Sequence, residues 1–195
     1  MIEAFLMSTG IVALAEMGDK TQLLSLVLAA RYRKPVPIIL GIFVATLLNH
    51  AVAGALGSWL MHWFGPSVMR WVLGVSFLGM AVWILIPDKL DDTDADPKGG
   101  IFLTTVVAFF LAEMGDKTQF ATVALAAQYS SLWAVVMGTT AGMMLANAPA
   151  VLLGDRITRA VPMRTVHLVA AILFAILGLL ALFDVGSLTT RQRTL

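Results

Sequence analysis

The sequence predicts an all-α integral membrane protein, with six transmembrane helices arranged as two inverted three-helix repeats. Three observations carry this expectation. Hydrophobic residues make up 59% of the 195-residue chain against 13% charged, with mean hydropathy +0.88. That is more apolar surface than a water-soluble fold of this size can hide. Six apolar stretches, at about 4–30, 36–61, 67–87, 101–127, 132–154 and 165–184, each reach the roughly 20 residues that a bilayer crossing requires. The octapeptide AEMGDKTQ occurs twice, at 15–22 and 112–119, 97 residues apart.

The first span has no Lys or Arg ahead of its apolar run, whereas a cleaved signal peptide carries a basic n-region. It is therefore expected to be a retained helix, and it holds the first copy of the motif. The second span follows the basic turn RYRKP and carries Thr46, Asn49 and His50. The third follows HWFGPS. The linker PDKLDDTDADPKGG comes next; it has five Asp but lacks the residue order of a calcium-binding EF-hand, so it reads as a solvated acidic segment. The fourth span holds the second motif copy. The fifth carries Asn147 and Pro149, and the proline can kink its helix and free a carbonyl. The sixth ends at Asp184. The chain thus divides into a first repeat (1–87), a cytoplasmic linker (88–100) and a second repeat (101–195).

At the 97-residue offset Phe5 answers Phe102, Leu14 answers Leu111, Tyr32 answers Tyr129, and Gly41 and Gly57 answer Gly138 and Gly154. Asn49 answers Asn147 one position out of register. With three spans per half, the second half enters the membrane from the opposite side. Such inverted pairs place substrate sites near mid-membrane, where the repeats meet. Eight Lys and Arg (Arg31, Arg33, Lys34, Lys89, Lys98, Arg156, Arg159, Arg164) fall on one side and three (Arg70, Arg191, Arg193) on the other. The positive-inside rule puts the first group in the cytoplasm and both termini outside.

A helix through the motif places Glu16, Asp19 and Lys20 on one face, with Gln22 a turn beyond Asp19. Gly18 permits a local break or a close helix approach. Glu113, Gly115, Asp116, Lys117 and Gln119 repeat the pattern. Ionisable groups at this depth cost about 2.5–3.5 kcal/mol each, so they must pair, line a cavity or bind something. Each motif carries a formal −1, and two meeting at the repeat interface carry −2. One divalent cation balances that, and two protons do the same, as a cation/proton exchanger requires. The candidate donors are the carboxylates of Glu16, Asp19, Glu113 and Asp116 and the amides of Gln22, Gln119, Asn49 and Asn147. Lys20, Lys117, Thr21, Thr118, Gly18 and Gly115 support them. Hard oxygen donors suit Mg²⁺, Ca²⁺ and Mn²⁺. A sulfur from Met17 or Met114 would favour Mn²⁺ over Ca²⁺, although eleven Met in an apolar chain mostly pack. The absence of Cys excludes thiolate sites and Cys nucleophiles, and the net charge of +1 gives no electrostatic case for nucleic acid.

Two E-φ-G-D-(K/R)-(T/S) motifs, one per three-helix half, resemble those of the Gdt-type calcium/manganese:proton antiporters, specifically the bacterial manganese-exporter branch. The resemblance runs from Ile2 to about Phe183. It implies a six-helix protein of the bacterial inner membrane that exports Mn²⁺ (or Ca²⁺) against protons, with no prosthetic group and no enzymatic activity. Its motif residues fall on Glu16, Gly18, Asp19, Lys20 and Thr21, and on Glu113, Gly115, Asp116, Lys117 and Thr118. A Ca²⁺/H⁺ antiporter is the nearest alternative. A membrane-embedded aspartyl protease is the alternative of another class, but a lysine beside each acid opposes the shared proton that such a dyad needs.

Overall fold

A computed structural model describes residues 1–86, 100–154 and 163–183. The acidic linker, Asp184, and the basic residues Arg156, Arg159, Arg191 and Arg193 lie outside the described residues. The described residues fold as helices: α1 (Ile2–Glu16), α2 (Lys20–Tyr32), α3 (Pro35–Trp83), α4 (Gly100–Glu113), α5 (Lys117–Gln128), α6 (Leu132–Leu153) and α7 (Met163–Leu182).

The expected helices differ from these in one way. The stretches 4–30 and 101–127, expected as single helices, are each broken at the motif, between α1 and α2 and between α4 and α5. The second and third stretches are, as expected, two helices, Pro35–Gly65 and Ser67–Trp83; they follow one another directly as the two arms of α3, meeting at a kink where Gly65 (φ 68°, ψ 173°) is non-helical. Pro35 starts α3 where its missing N–H costs nothing. Ser131 caps α6, its hydroxyl accepting from the Ala134 N–H at 3.4 Å. Among the described residues, Pro35–Gly65, α6 and Arg164–Leu182 are long and apolar enough to cross a bilayer. Ser67–Trp83 and α4 are apolar but shorter.

The distribution of polarity suits lipid. Leu48, Trp63, Val75, Leu111, Leu145 and Leu152 point outward, while Glu16, Glu113, Asn49, Asn147 and Lys117 are buried. A polar centre inside an apolar jacket matches a surround that cannot solvate charge.

The centre is built from close approaches between α1 and α6 and between α3 and α4. A Cβ on Gly138 would lie 2.5 Å from the Phe5 carbonyl oxygen and 2.9 Å from the Ser8 Cβ. A Cβ on Gly41 would lie 2.7 Å from the Thr105 Cβ and 3.0 Å from the Phe102 carbonyl oxygen. These are equivalent contacts at the 97-residue offset with the halves exchanged: α6 of the second half on α1 of the first, α3 of the first on α4 of the second. Further along α3, Gly57 lies against the Val123 carbonyl of α5. Gly57→Ala would drive its Cβ into that oxygen and is expected to cost about 1–3 kcal/mol. Gly79, with open space at its Cβ, is the control. Thermal unfolding in detergent checks this: a marked drop in midpoint is expected for Gly57→Ala and none for Gly79→Ala.

Candidate cation site between the two helix breaks

Both breaks have the same local construction. Gly18 (φ 82°) and Gly115 (φ 74°) take the left-handed conformation that side chains disfavour. The Asp19 N–H donates to the Glu16 carbonyl and the Asp116 N–H to the Glu113 carbonyl, both at 3.1 Å. The N–H groups of Gly18 and Gly115, released from the helix, donate to Gln22 Oε1 (2.9 Å) and Gln119 Oε1 (2.7 Å). The two glutamines expected as ligands therefore use their carbonyl oxygens to hold the breaks. Asp19 and Asp116 occupy the N-cap positions of α2 and α5, yet neither side chain caps its helix. Their carboxylates are committed elsewhere.

Each lysine crosses to the opposite motif. Lys117 Nζ lies 3.2 Å from Asp19 Oδ1, and Lys20 Nζ lies 3.3 Å from Asp116 Oδ1. The two pairs are not equally wet. The Lys117 side chain is 2% exposed and also donates to the Ile86 carbonyl at 3.3 Å, whereas the Lys20 side chain is 27% exposed.

The two glutamates end α1 and α4 and are fully buried. Glu16 Oε1 accepts from Asn147 Nδ2 at 3.3 Å, and its Oε2 has no hydrogen-bond partner. Glu16 also feels the negative charges of Glu113, Asp19 and Asp116, so the four acids share one electrostatic neighbourhood. Glu113 Oε2 accepts from the Thr118 hydroxyl at 3.1 Å, and Oε1 has no partner. Thr21, the counterpart of Thr118, is buried with its hydroxyl unpartnered. Asn49 donates to the Phe110 carbonyl (3.0 Å) and accepts from Gln119 Nε2 (3.4 Å), while Gln22 Nε2 donates to the Ala146 carbonyl (3.0 Å). Among the described residues no three His, Cys, Asp or Glu side chains converge closely enough to hold a metal ion. The two ammonium groups of Lys20 and Lys117 stand against Asp116 and Asp19.

His50, already noted beside Asn49 on the second span, enters the site, and so do two side chains outside the expected set, His167 and Met143. His50 Nε2 lies 3.6 Å from Glu113 Oε2, and both residues are fully buried. A His167 ring nitrogen of α7 lies 2.7 Å from the Met17 carbonyl oxygen in the first break. Met143 brings its sulfur within 2.9 Å of Asn147 Nδ2. The 97-residue offset was the available signal: His167 answers Arg70 and Met143 answers Thr46. Met17 and Met114, the expected sulfur candidates, fare differently. Met114 is 57% exposed, and Met17 contributes its backbone carbonyl to the His167 contact.

A sequence model of the family described as "Divalent cation/proton antiporter GDT1" matches residues 4–92 and 101–188. The chain is 54% identical over 173 residues to a Vibrio cholerae protein named "Putative manganese exporter", covering 88% of this chain and 86% of that one. It is 28% identical over 195 residues to a GDT1-like protein of Synechocystis, covering 89% and 94%. It is 22% identical over 238 residues to the divalent cation/proton antiporter GDT1 of Saccharomyces cerevisiae, covering 94% and 84%. No solved structure matches.

Proposed function

Because the chain belongs to the divalent cation/proton antiporter GDT1 family, and so is a transporter and not an enzyme, we propose that it exports Mn²⁺ from the bacterial cytoplasm in exchange for protons. One observation supports this reading most: two fully buried glutamates, each with an oxygen that nothing bonds, stand beside two Lys–Asp pairs that cross between the motifs. The acids total four and the ammonium groups two, leaving the −2 that one divalent ion or two protons would balance. An entering cation competes with Lys20 for Asp116 and with Lys117 for Asp19, and Glu16 and Glu113 supply the oxygens that are not yet engaged. Asn147 and Asn49 complete the shell from α6 and α3. The choice of Mn²⁺ rests on the donor set and on the name of the Vibrio relative.

In this reading the chain crosses the inner membrane six times, as two inverted repeats (1–87 and 101–195) joined by a cytoplasmic linker (88–100). The broken pairs α1–α2 and α4–α5 each make one crossing, the two arms of α3 make two, and α6 and α7 make one each. The exchanged glycine contacts of α6 on α1 and α3 on α4 support the pseudo-symmetry. Orientation follows the loop charges, with both termini outside. The chain lacks Cys, so single-Cys labelling is clean. Ser130→Cys, between α5 and α6, is expected to react with an impermeant maleimide in intact cells, and Lys34→Cys, between α2 and α3, only after lysis. The reverse pattern would invert the orientation.

The function is tested in proteoliposomes with an acidic lumen. External Mn²⁺ is expected to enter while the lumen becomes alkaline, and collapsing the pH gradient should stop the uptake. Mn²⁺ movement without proton movement would refute antiport, and preferential Ca²⁺ movement would make the chain a Ca²⁺/H⁺ antiporter.

A further inference from the structure

Met143 and Asn147 lie four residues apart on α6, the helix packed along α1, and so share one helix face. A methionine that only packs turns its thioether toward apolar groups. Met143 instead holds its sulfur 2.9 Å from Asn147 Nδ2, the same nitrogen that donates to Glu16 Oε1 at 3.3 Å. Met143 is fully buried. The acceptors around it are under-used: Glu16 Oε2 and Asn147 Oδ1 are both buried with no hydrogen-bond partner. Asn147 Nδ2 thus faces Glu16 Oε1, the Met143 sulfur and the Met143 carbonyl oxygen (3.1 Å), with the unpartnered Asn147 Oδ1 on the same amide. Asn147 need only turn its amide for its oxygen to join the same side.

We infer that Met143 is a specificity-determining residue, offering a soft sulfur donor to a cation held by Glu16 and Asn147 and so disfavouring Ca²⁺. This rests on the cation site proposed above and adds to it the chemical basis of its selectivity. A thioether gives little to a hard ion such as Ca²⁺ or Mg²⁺ and more to a softer transition-metal or post-transition ion. The chain places Thr46, a hard hydroxyl, at the position 97 residues before Met143. Thr46 is likewise buried, with its oxygen unpartnered. The two halves therefore differ at this position in donor softness, sulfur in one and oxygen in the other.

Cd²⁺ is the discriminating probe, because it is close to Ca²⁺ in size but much softer. Cd²⁺, Mn²⁺ and Ca²⁺ affinities are measured on the full chain in detergent for the wild type, Met143→Leu, Met143→Thr and Met114→Leu. Leucine keeps the volume and removes the sulfur; threonine reproduces the other half. The Cd²⁺/Ca²⁺ affinity ratio is expected to fall about tenfold in both Met143 variants, a loss of roughly 1.4 kcal/mol of discrimination. The Mn²⁺/Ca²⁺ ratio should fall in the same direction by a smaller factor. Met114→Leu, at an exposed position, should leave both ratios where they are. A packing role would move all three affinities together, so unchanged ratios in Met143→Leu and Met143→Thr would overturn the inference, even if binding weakens overall. Glu16→Gln in the same assay separates the two levels. If Cd²⁺ binding survives it, the proposed site is wrong. If Glu16→Gln abolishes binding but the Met143 ratios are unmoved, only the role of Met143 falls.

Discussion

Glu16→Gln and Glu113→Gln are each expected to reduce Mn²⁺ transport by about 100-fold or more, the upper range for loss of a metal-site interaction, while the protein still reaches the membrane. Glutamine has nearly the shape of glutamate, so the fully buried positions at the ends of α1 and α4 can accept it without a void. The chemistry changes completely. A carboxylate both coordinates a divalent ion and accepts a proton, and an amide does neither at working pH. At position 16 the new NH₂ would also face Asn147 Nδ2, a donor that now bonds Glu16 Oε1 at 3.3 Å. At position 113 the amide would remove the negative charge that faces His50 across 3.6 Å. On the proposed reading the motifs form one site and not two independent ones, so the two variants should fail alike. Proteoliposome flux together with quantification in the membrane fraction checks this. Near-normal flux from either variant would show that its motif is architectural.

Lys117→Gln and Lys20→Gln are expected to fail differently, although the two lysines occupy equivalent positions in identical motifs. The Lys117–Asp19 pair is buried on both sides, and removing one member of such a pair typically costs about 3–5 kcal/mol. The Lys20–Asp116 pair is 27% exposed on the lysine side and buried on the aspartate side, so solvent reaches it in part and its loss should cost less stability than the loss of Lys117. Lys20→Gln should instead reveal itself in transport. A positive charge about 6 Å from a divalent ion, at an effective dielectric near 20, repels it by roughly 5 kcal/mol before relaxation. Without Lys20 the site should bind Mn²⁺ more tightly or take up a further proton, and in both cases turn over more slowly. A site that conducts must be weak enough to release its ion. Detergent unfolding midpoints and Mn²⁺ affinity with turnover, measured side by side, decide between these outcomes. Equal loss of stability in the two variants would refute the asymmetry read from their burial. Unchanged affinity and turnover in Lys20→Gln would make that lysine a spectator.

The repeat, the motif and the charge balance were legible in the sequence because they depend on residue identity and on spacing along the chain. Hydropathy marked α6 and α7 as spans, and Gly18 and Gly115 announced that a break was possible, since only the local backbone decides whether a residue can take positive φ. The division between the second and third spans at HWFGPS was legible because a glycine–proline step interrupts helical geometry, and Gly65 is where the two arms of α3 meet in a kink. Gln22 and Gln119 were expected as ligands on side-chain chemistry alone. Their use in holding Gly18 N–H and Gly115 N–H depends on the breaks having formed. Met143 carried no local signal, since one methionine among eleven in an apolar chain reads as packing. Which aspartate each lysine reaches was left open by the sequence and was decided by how α2 and α5 face one another. Lys117 and Asp19 are 98 residues apart in the chain and 3.2 Å apart in space. Helix propensity, turn chemistry and hydropathy act over a few residues, so the sequence by itself determined that four acids and two lysines sit in two identical motifs inside apolar stretches. Only the tertiary structure decided that each lysine neutralises the other half's aspartate, because that pairing is a property of the distance between helices and of the water each helix excludes.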